Sequence, residues 1–203
     1  MQIKAIVFDF GGVVGFFDHH LTTDRLVSYG ALSSDDLHAR LFGTPLEDQY
    51  ESGRLNTAEF LRRIRETCCL TCSEDIIAAA WADIFWPNPE VCALLSQLKP
   101  HYRLLLASNT NELHAQQFCR EFAGTLRDFD AIVLSHVIGV RKPRAGFFEH
   151  CQRLAQCSPK ECLFIDDLPV NVAGAVACGW NGIVYTGSDD LVARLSACGV
   201  KGL

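Results

Sequence analysis

An α/β fold, a doubly wound parallel sheet with an inserted helical unit, is predicted by three features of the sequence. Short apolar runs of strand-forming residues recur at residues 3–8, 103–107, 131–134, 162–165 and 183–185. From Pro89 onward these runs alternate with single amphipathic stretches of helical period, which is the pattern of parallel strands joined by crossover helices. Between the first run and Pro89 about seventy residues show helical period only, so a helical unit is expected in the loop after the first strand.

The first run, Ile3 and Ala5–Phe8, is apolar on both faces, as a central parallel strand requires. It stops at Asp9 and is followed by Gly11 and Gly12. In the inserted segment, Phe17, Leu21, Leu26 and Val27 fit one face of a helix that stops near Gly30. Ser33 with Asp35 and Asp36 marks the start of a second helix carrying Leu37 and Leu41. Asn56 with Glu59 three residues on reads as a capping box before Phe60, Leu61 and Ile64. Ser73, Glu74 and Asp75 open a further helix with Ile76, Ile77 and Trp81. Pro87 and Pro89 close the unit. The expected organisation is therefore a core of residues 1–15 and 88–203 with a helical insertion of residues 16–87. In the second half, helices are expected over residues 90–98, through Leu113 to Phe122, through Phe147 to Leu154, over residues 170–177 ending at Gly179, and at the C-terminus, with Ser188 as its cap.

The composition excludes several classes. With 203 residues, 49% hydrophobic and 21% charged, the chain has the material for a sizeable core. The net charge of −6 and the lack of a Lys/Arg cluster argue against nucleic acid as a partner. The first apolar run is too short for a membrane span and has no basic leader, so a soluble, cytoplasmic protein is expected, monomer or homodimer. Ten cysteines are many. Without an export signal they read as small buried residues rather than a disulfide framework. Cys68 and Cys72 would share a helix face, but no second Cys or His pair follows to complete a zinc site.

In a doubly wound sheet the carboxyl ends of the strands share one edge, and sites form there. That rule brings together Asp9, Ser108-Asn109, Lys142 and Asp166-Asp167, with the helical insertion above them. Three converging carboxylates repel unless a cation intervenes, so Mg2+ is implied, with Asp9, Asp166, Asp167 and the Gly11 carbonyl as ligands. Ser108 and backbone N–H groups beside Asn109, at the start of a helix, can bind phosphate oxygens. Lys142 adds a fixed positive charge, and Asp9 can then attack a phosphoryl group to form an aspartyl-phosphate. Taken singly each has a plainer reading: Asp9 as a turn residue, Ser108-Asn109 as a helix cap, Lys142 as a loop charge, and the acid pair as a strand-to-helix turn.

Four motifs, FDFGGV at residues 8–13, ASNTN at 107–111, RKP at 141–143 and FIDD at 164–167, resemble those of the haloacid dehalogenase (HAD) superfamily, and the insertion resembles its C1 helical cap. The resemblance implies a Rossmann-like core, Asp9 as nucleophile, Ser108 and Asn109 beside the phosphate, Lys142 steadying the charge, and Asp166 and Asp167 holding Mg2+. SNTNELH at 108–114, GVRKP at 139–143 and YESGRLNTAEF at 50–60 further resemble a subgroup of small sugar-phosphate phosphatases similar to α-glucose-1-phosphate phosphatase. The substrate implied is a small phosphate ester such as a sugar phosphate.

One position departs from the pattern. Most phosphatases of the superfamily carry a second Asp two residues after the nucleophile, as general acid and base, and here that residue is Gly11. A missing acid/base group costs about 10²–10⁴ in rate. Water, or Asp18, His19 or His20 from the insertion, can carry the proton instead; the two histidines equally read as surface residues at a helix start. Two other functions compete: a dehalogenase-type hydrolase of carbon–halogen bonds, which resembles this chain in lacking the second Asp, and a HAD scaffold that binds without turnover. The adjacent acids Asp166-Asp167 favour phosphate chemistry over the first. The joint presence of Asp9, Lys142 and the acid pair argues against the second.

Overall fold

The structure is a computed structural model and describes residues 2–203. The main sheet contains β1 (Ala5–Phe8), β4 (Arg103–Ser108), β5 (Ala131–Leu134), β6 (Cys162–Asp166) and β7 (Asn181–Val184). Their order across the sheet is β5-β4-β1-β6-β7, and every pair is parallel. β1 is therefore central, with Val7 in register with Leu105 on one side and Phe164 on the other. The chain leaves β1 for β4 on one flank and later returns to the other flank at β6. The reversal opens a crevice at the carboxyl ends of β1, β4 and β6.

Alternate β1 side chains feed two helix layers. Ile6 and Phe8 pack with α6 (Pro89–Leu98), α7 (Glu112–Glu121) and α12 (Ser188–Ala197), through Val91, Leu95, Phe118, Leu191 and Leu195. Ala5 and Val7 pack with α10 (Ala145–Ala155) and α11 (Pro169–Ala177), through Phe147, Phe148, Cys151, Val172 and Ala175. Short connections, α8 (Ala123–Leu126) and α9 (Ser135–Ile138), complete this part. No helix is long and apolar enough to cross a membrane among the described residues.

The insertion has its own core. α1 (His20–Leu26), α2 (Ser34–Leu41), α3 (Pro45–Glu51), α4 (Thr57–Thr67) and α5 (Glu74–Ala82) enclose Leu26, Leu37, Tyr50, Phe60, Ile64, Ile77 and Trp81. Trp81 is fully buried, with its indole stacked on Phe42 and His114 and edge-on to Phe60.

Several local expectations change. Helical period was expected throughout residues 16–87, yet the chain enters and leaves the insertion as a two-stranded antiparallel ribbon, β2 (Gly15–Phe17) and β3 (Phe85–Pro87). Phe17 thus belongs to a strand, and α1 starts three residues later. The three-residue strands are too short to show alternation, and their pairing is non-local. Helix α3 was not foreseen; it carries Pro at its first position and is capped by Thr44, whose hydroxyl accepts from Glu47 N–H. Asn56 caps α4 by accepting from Glu59 N–H at 2.8 Å, but Glu59 pairs with Arg63 rather than closing a capping box. Gly187, not Ser188, occupies the cap position of α12. Cys68 and Cys72 do not share a helix face, because α4 ends at Thr67 and Cys69 takes a left-handed conformation (φ 51°). All ten cysteines are free.

Trp81 tests the weight of the insertion's core. Trp81→Ala is expected to lower the unfolding free energy by about 3–5 kcal/mol, measured by urea titration with tryptophan-independent detection such as far-UV circular dichroism.

Candidate active site

The crevice is built outward from the end of β1. Asp9 N–H donates to the Ile165 carbonyl at 2.8 Å, so the sheet ladder persists one residue past the strand and fixes the backbone of this acid. The chain then turns tightly: the Phe10 carbonyl accepts from the N–H groups of Val13, Val14 and Gly15, and Gly12 N–H donates to Gly15. Gly12 sits at φ +76°, and a Cβ there would lie 2.4 Å from a carboxylate oxygen of Asp167. Glycine is therefore required twice over, by conformation and by the acid packed against it. Asn88 locks the turn to the insertion's exit by donating to the Val13 carbonyl at 2.8 Å.

Lys142 joins the strands. Its buried ammonium lies 2.7 Å from Asp9 Oδ1 and 2.7 Å from Asp166 Oδ2, and donates to the Ala107 carbonyl at 2.9 Å. All three N–H donors are used, at the ends of β1, β4 and β6. Asn109 positions this lysine. Its Oδ1 accepts from Lys142 N–H at 2.8 Å and its Nδ2 donates to the Lys142 carbonyl at 3.0 Å. The amide expected beside the phosphate thus has its side chain occupied. Ser108 is the last residue of β4 rather than a helix cap; α7 begins at Glu112 and is capped by Asn111. Ser108 still lines the crevice.

The acid pair divides its contacts. Asp166 is fully buried and accepts from Leu168 N–H at 2.9 Å and Asn171 Nδ2 at 3.0 Å, besides Lys142. Asp167 is half-buried and faces the cavity. Asn171 escaped sequence reasoning. Its signal was a single amide in the apolar helix PVNVAGAVA, one turn after the acid pair.

Charge in this cluster is unbalanced. Burial raises the Asp9 carboxyl well above its ordinary value; Lys142 opposes that and the neighbouring Asp166 adds to it. Burial, then Asp166, likewise raises Asp167. Lys142 is itself raised: burial works against its charge, but Asp9 and Asp166 together outweigh burial, so it stays protonated. Asp9, Asp166 and Asp167 each offer a carboxylate oxygen within 4.8 Å of the others, and no other such group of potential ligands occurs among the described residues. Three carboxylates against one ammonium leave room for a hard divalent cation. All-oxygen donors with the cradle at Gly12 fit Mg2+.

The cavity above the cluster measures about 250 Å³. Asp9, Gly11, Ser108, Asn109, Arg141 and Asp167 of the core line it, together with Phe17, His19, Glu47 and Glu51 of the insertion. Of the three proton carriers considered from sequence, Asp18 turns away to accept from His20 N–H at 2.8 Å, and neither it nor His20 reaches the cavity. His19 does, stacked on Phe42 at 3.9 Å, and burial, followed by His38, depresses its imidazole to about 4. His114 also lines the cavity, but both ring nitrogens are engaged, Nδ1 with Asn111 and Nε2 with the Trp81 carbonyl.

Glu47, Glu51 and Arg141 were not singled out as site residues from sequence. Arg141 bridges to the insertion, with Nη1 2.7 Å from Asp48 Oδ1 and Nη2 2.7 Å from Glu51 Oε2. The Glu51 carbonyl accepts from Ser135 Oγ at 2.6 Å, so helix α3 is docked to the core at its C-terminal end. The available signal was the YESG run itself, an acid beside a turn glycine. Gly53 is at φ +67°, and a Cβ there would strike the His136 carbonyl at 2.2 Å.

Comparisons with known proteins agree with this architecture. Residues 3–179 match the family model of haloacid dehalogenase-like hydrolases. The chain is 28% identical to D-ribitol-5-phosphate phosphatase of Bacteroides thetaiotaomicron, over 84% of this chain and 86% of that one. It is 29% identical to a sesquiterpene phosphatase, astK, of Aspergillus oryzae, over 91% of each. Among solved structures, a HAD family enzyme of Bacteroides thetaiotaomicron in complex with magnesium and inorganic phosphate superposes with a TM-score of 0.81 at 27% identity, covering 91% of this chain and 95% of that one. With a parallel five-stranded sheet, its acids and lysine at one edge, and a family match across most of its length, the chain belongs to the haloacid dehalogenase-like hydrolases.

Proposed function

We propose that this hydrolase is a Mg2+-dependent phosphatase of small, polar phosphate monoesters such as sugar or polyol phosphates, working through an aspartyl-phosphate on Asp9. The observation that carries the reading is the buried Lys142 ammonium shared at 2.7 Å between Asp9 and Asp166, with Asp167 beside them. The lysine and Phe10 N–H hold Oδ1 of Asp9, which leaves Oδ2 to attack phosphorus. Ser108 receives the phosphate oxygens at the end of β4. Asp9, Asp166, Asp167 and the Gly11 carbonyl would hold Mg2+, with Asp166 also steering Lys142. The cation, when bound, offsets the carboxylate charge and draws the phosphate toward Asp9. Residues 16–87 act as the cap, and residues 1–15 with 88–203 as the catalytic core.

Similarity to the ribitol-5-phosphate phosphatase and to a magnesium- and phosphate-bound HAD enzyme supports this reading. The cap side of the cavity favours a hydroxylated substrate over an isoprenoid one. Glu47, Glu51 and Arg141, set among Phe17, Ile84 and Phe85, can hydrogen-bond hydroxyl groups and would lose water without return against an apolar chain. Carbon–halogen hydrolysis fits less well, because it gives the three clustered carboxylates nothing to hold.

Phosphate release from an aryl phosphate is expected to require added Mg2+, to stop with EDTA, and to fall about 10³-fold or more in Asp9→Asn; release without metal, or undiminished in Asp9→Asn, overturns the assignment. In Gly12→Ala the new methyl displaces Asp167, and the Mg2+ concentration for half-maximal activity is expected to rise about 10–100-fold, read from metal titrations on protein of unchanged circular dichroism.

A further inference from the structure

We propose that Glu51 of the cap is the proton carrier that replaces the group missing at Gly11, donating to the departing oxygen and then taking a proton from the attacking water. The inference rests on the phosphatase reading and supplies what that reading lacks. In-line attack by Asp9 from the end of β1 pushes the leaving oxygen toward the opposite, cap-facing side of the cavity. The acid must therefore come from the cap or from Arg141's loop, and few groups qualify. The space beside Gly11 is taken by Phe17, whose ring edge lies 3.0 Å from where a Cβ would stand. His114 has both nitrogens bound, and His19, buried against Phe42, is the neutral imidazole at neutral pH and a poor acid. Glu47 is turned into its own helix start, with Oε2 accepting from Gly43 N–H at 2.7 Å.

Glu51 is placed differently. It is buried, lines the cavity, and is held at 2.7 Å by Arg141, the residue before Lys142. Its backbone is pinned by Ser135, and its second carboxylate oxygen accepts no hydrogen bond among the described residues. The charged groups facing it are Glu47 and Asp48 on α3 and Arg141 and Lys142 on the core loop. Burial, helped by Glu47, outweighs the two cations and brings the carboxyl to about 7, so it can both give and take a proton under working conditions.

The step balances. As the Asp9 Oδ2–P bond forms and the ester P–O bond breaks, the Glu51 proton passes to the leaving oxygen, which departs as an alcohol. The Glu51 carboxylate then removes a proton from water as its oxygen attacks phosphorus. The acyl-phosphate bond breaks, restoring Asp9 and protonated Glu51 and releasing inorganic phosphate.

Leaving-group dependence tests this. A nitrophenolate departs without a proton; an alkoxide needs one. In kcat/KM, which reports events up to leaving-group departure, Glu51→Gln is expected to lose about 10²–10³-fold on the fastest alkyl ester among glycerol and ribitol phosphates, and under about tenfold on p-nitrophenyl phosphate. Glu51→Asp should recover part of the alkyl-ester loss, and Glu59→Gln, a half-exposed cap acid outside the cavity, should lose nothing. In the wild type the alkyl-to-aryl ratio of kcat/KM should fall as pH rises through about 7, because the acid form is then lost, and should be flat in Glu51→Gln. Equal losses on both esters, no loss on either, a flat wild-type ratio, or wild-type turnover of the aryl ester alone each overturn the role of Glu51. Wild-type failure on both esters overturns the phosphatase reading, and Glu51 with it. Should Glu51→Gln not fold, the wild-type ratio against pH decides.

Discussion

The structure depends on one buried ammonium. Lys142 reaches the ends of three strands at once, touching Asp9 after β1, the last carbonyl before Ser108 in β4, and Asp166 at the end of β6. Such a cluster is a poor way to gain stability. Removing one member of a buried charge group costs about 3–5 kcal/mol, whereas replacing the whole by apolar side chains is often neutral or favourable by about 1–4 kcal/mol. The sheet around it is apolar and well packed, so nothing structural calls for charge here. The cluster makes sense as chemistry: the lysine orients a carboxylate and opposes the burial that favours its neutral form, in a site from which water is partly excluded.

That constraint propagates outward. Asn109 spends both ends of its amide on the Lys142 backbone, and Asn171 spends its own on Asp166. Arg141, next in sequence, extends the same loop to the cap through Asp48 and Glu51. A single loop thus sets the charge beside Asp9 and anchors α3 of the insertion. The two-stranded ribbon at Gly15–Phe17 and Phe85–Pro87 fixes the cap's other attachment. Cap and core meet through these polar contacts and through an aromatic seam in which Trp81 stacks on His114 and Leu113 packs against the insertion's cluster, although the cluster itself is separate from the two that flank the sheet.

Much of this was legible in the sequence because it rests on local patterning. Strands buried on both faces are unbroken apolar runs, and their ends are marked by the first polar residue, which is where Asp9, Ser108 and Asp166 stand. Topology then places them together without further information. What escaped has non-local causes. The ribbon has strands of three residues, too short to show a period. The duty of Asn109 depends on a residue 33 positions away. Helix α3 carries its acids where a helical pattern reads them as solvated, and only docking against the core loop turns Glu47 and Glu51 toward the cavity.

Gly11 gains a structural explanation from the same geometry. The entering strand of the ribbon brings Phe17 over the turn, and its ring edge would crowd a side chain at position 11. An acid there would have to share its space with an aromatic ring, and would add a further negative charge to a site where three carboxylates already outnumber the single lysine. Moving proton transfer to the cap relieves both problems. On the proposed mechanism the Glu51 carboxyl serves the leaving group, and Arg141 beside it supplies a compensating charge. On that mechanism a cap-borne acid also ties proton transfer to the cap's position, since Glu51 sits where α3 is docked through Arg141 and Ser135. On the proposed mechanism water exclusion and the proton arrive together, which would protect an acyl-phosphate on Asp9 until the leaving alcohol has gone.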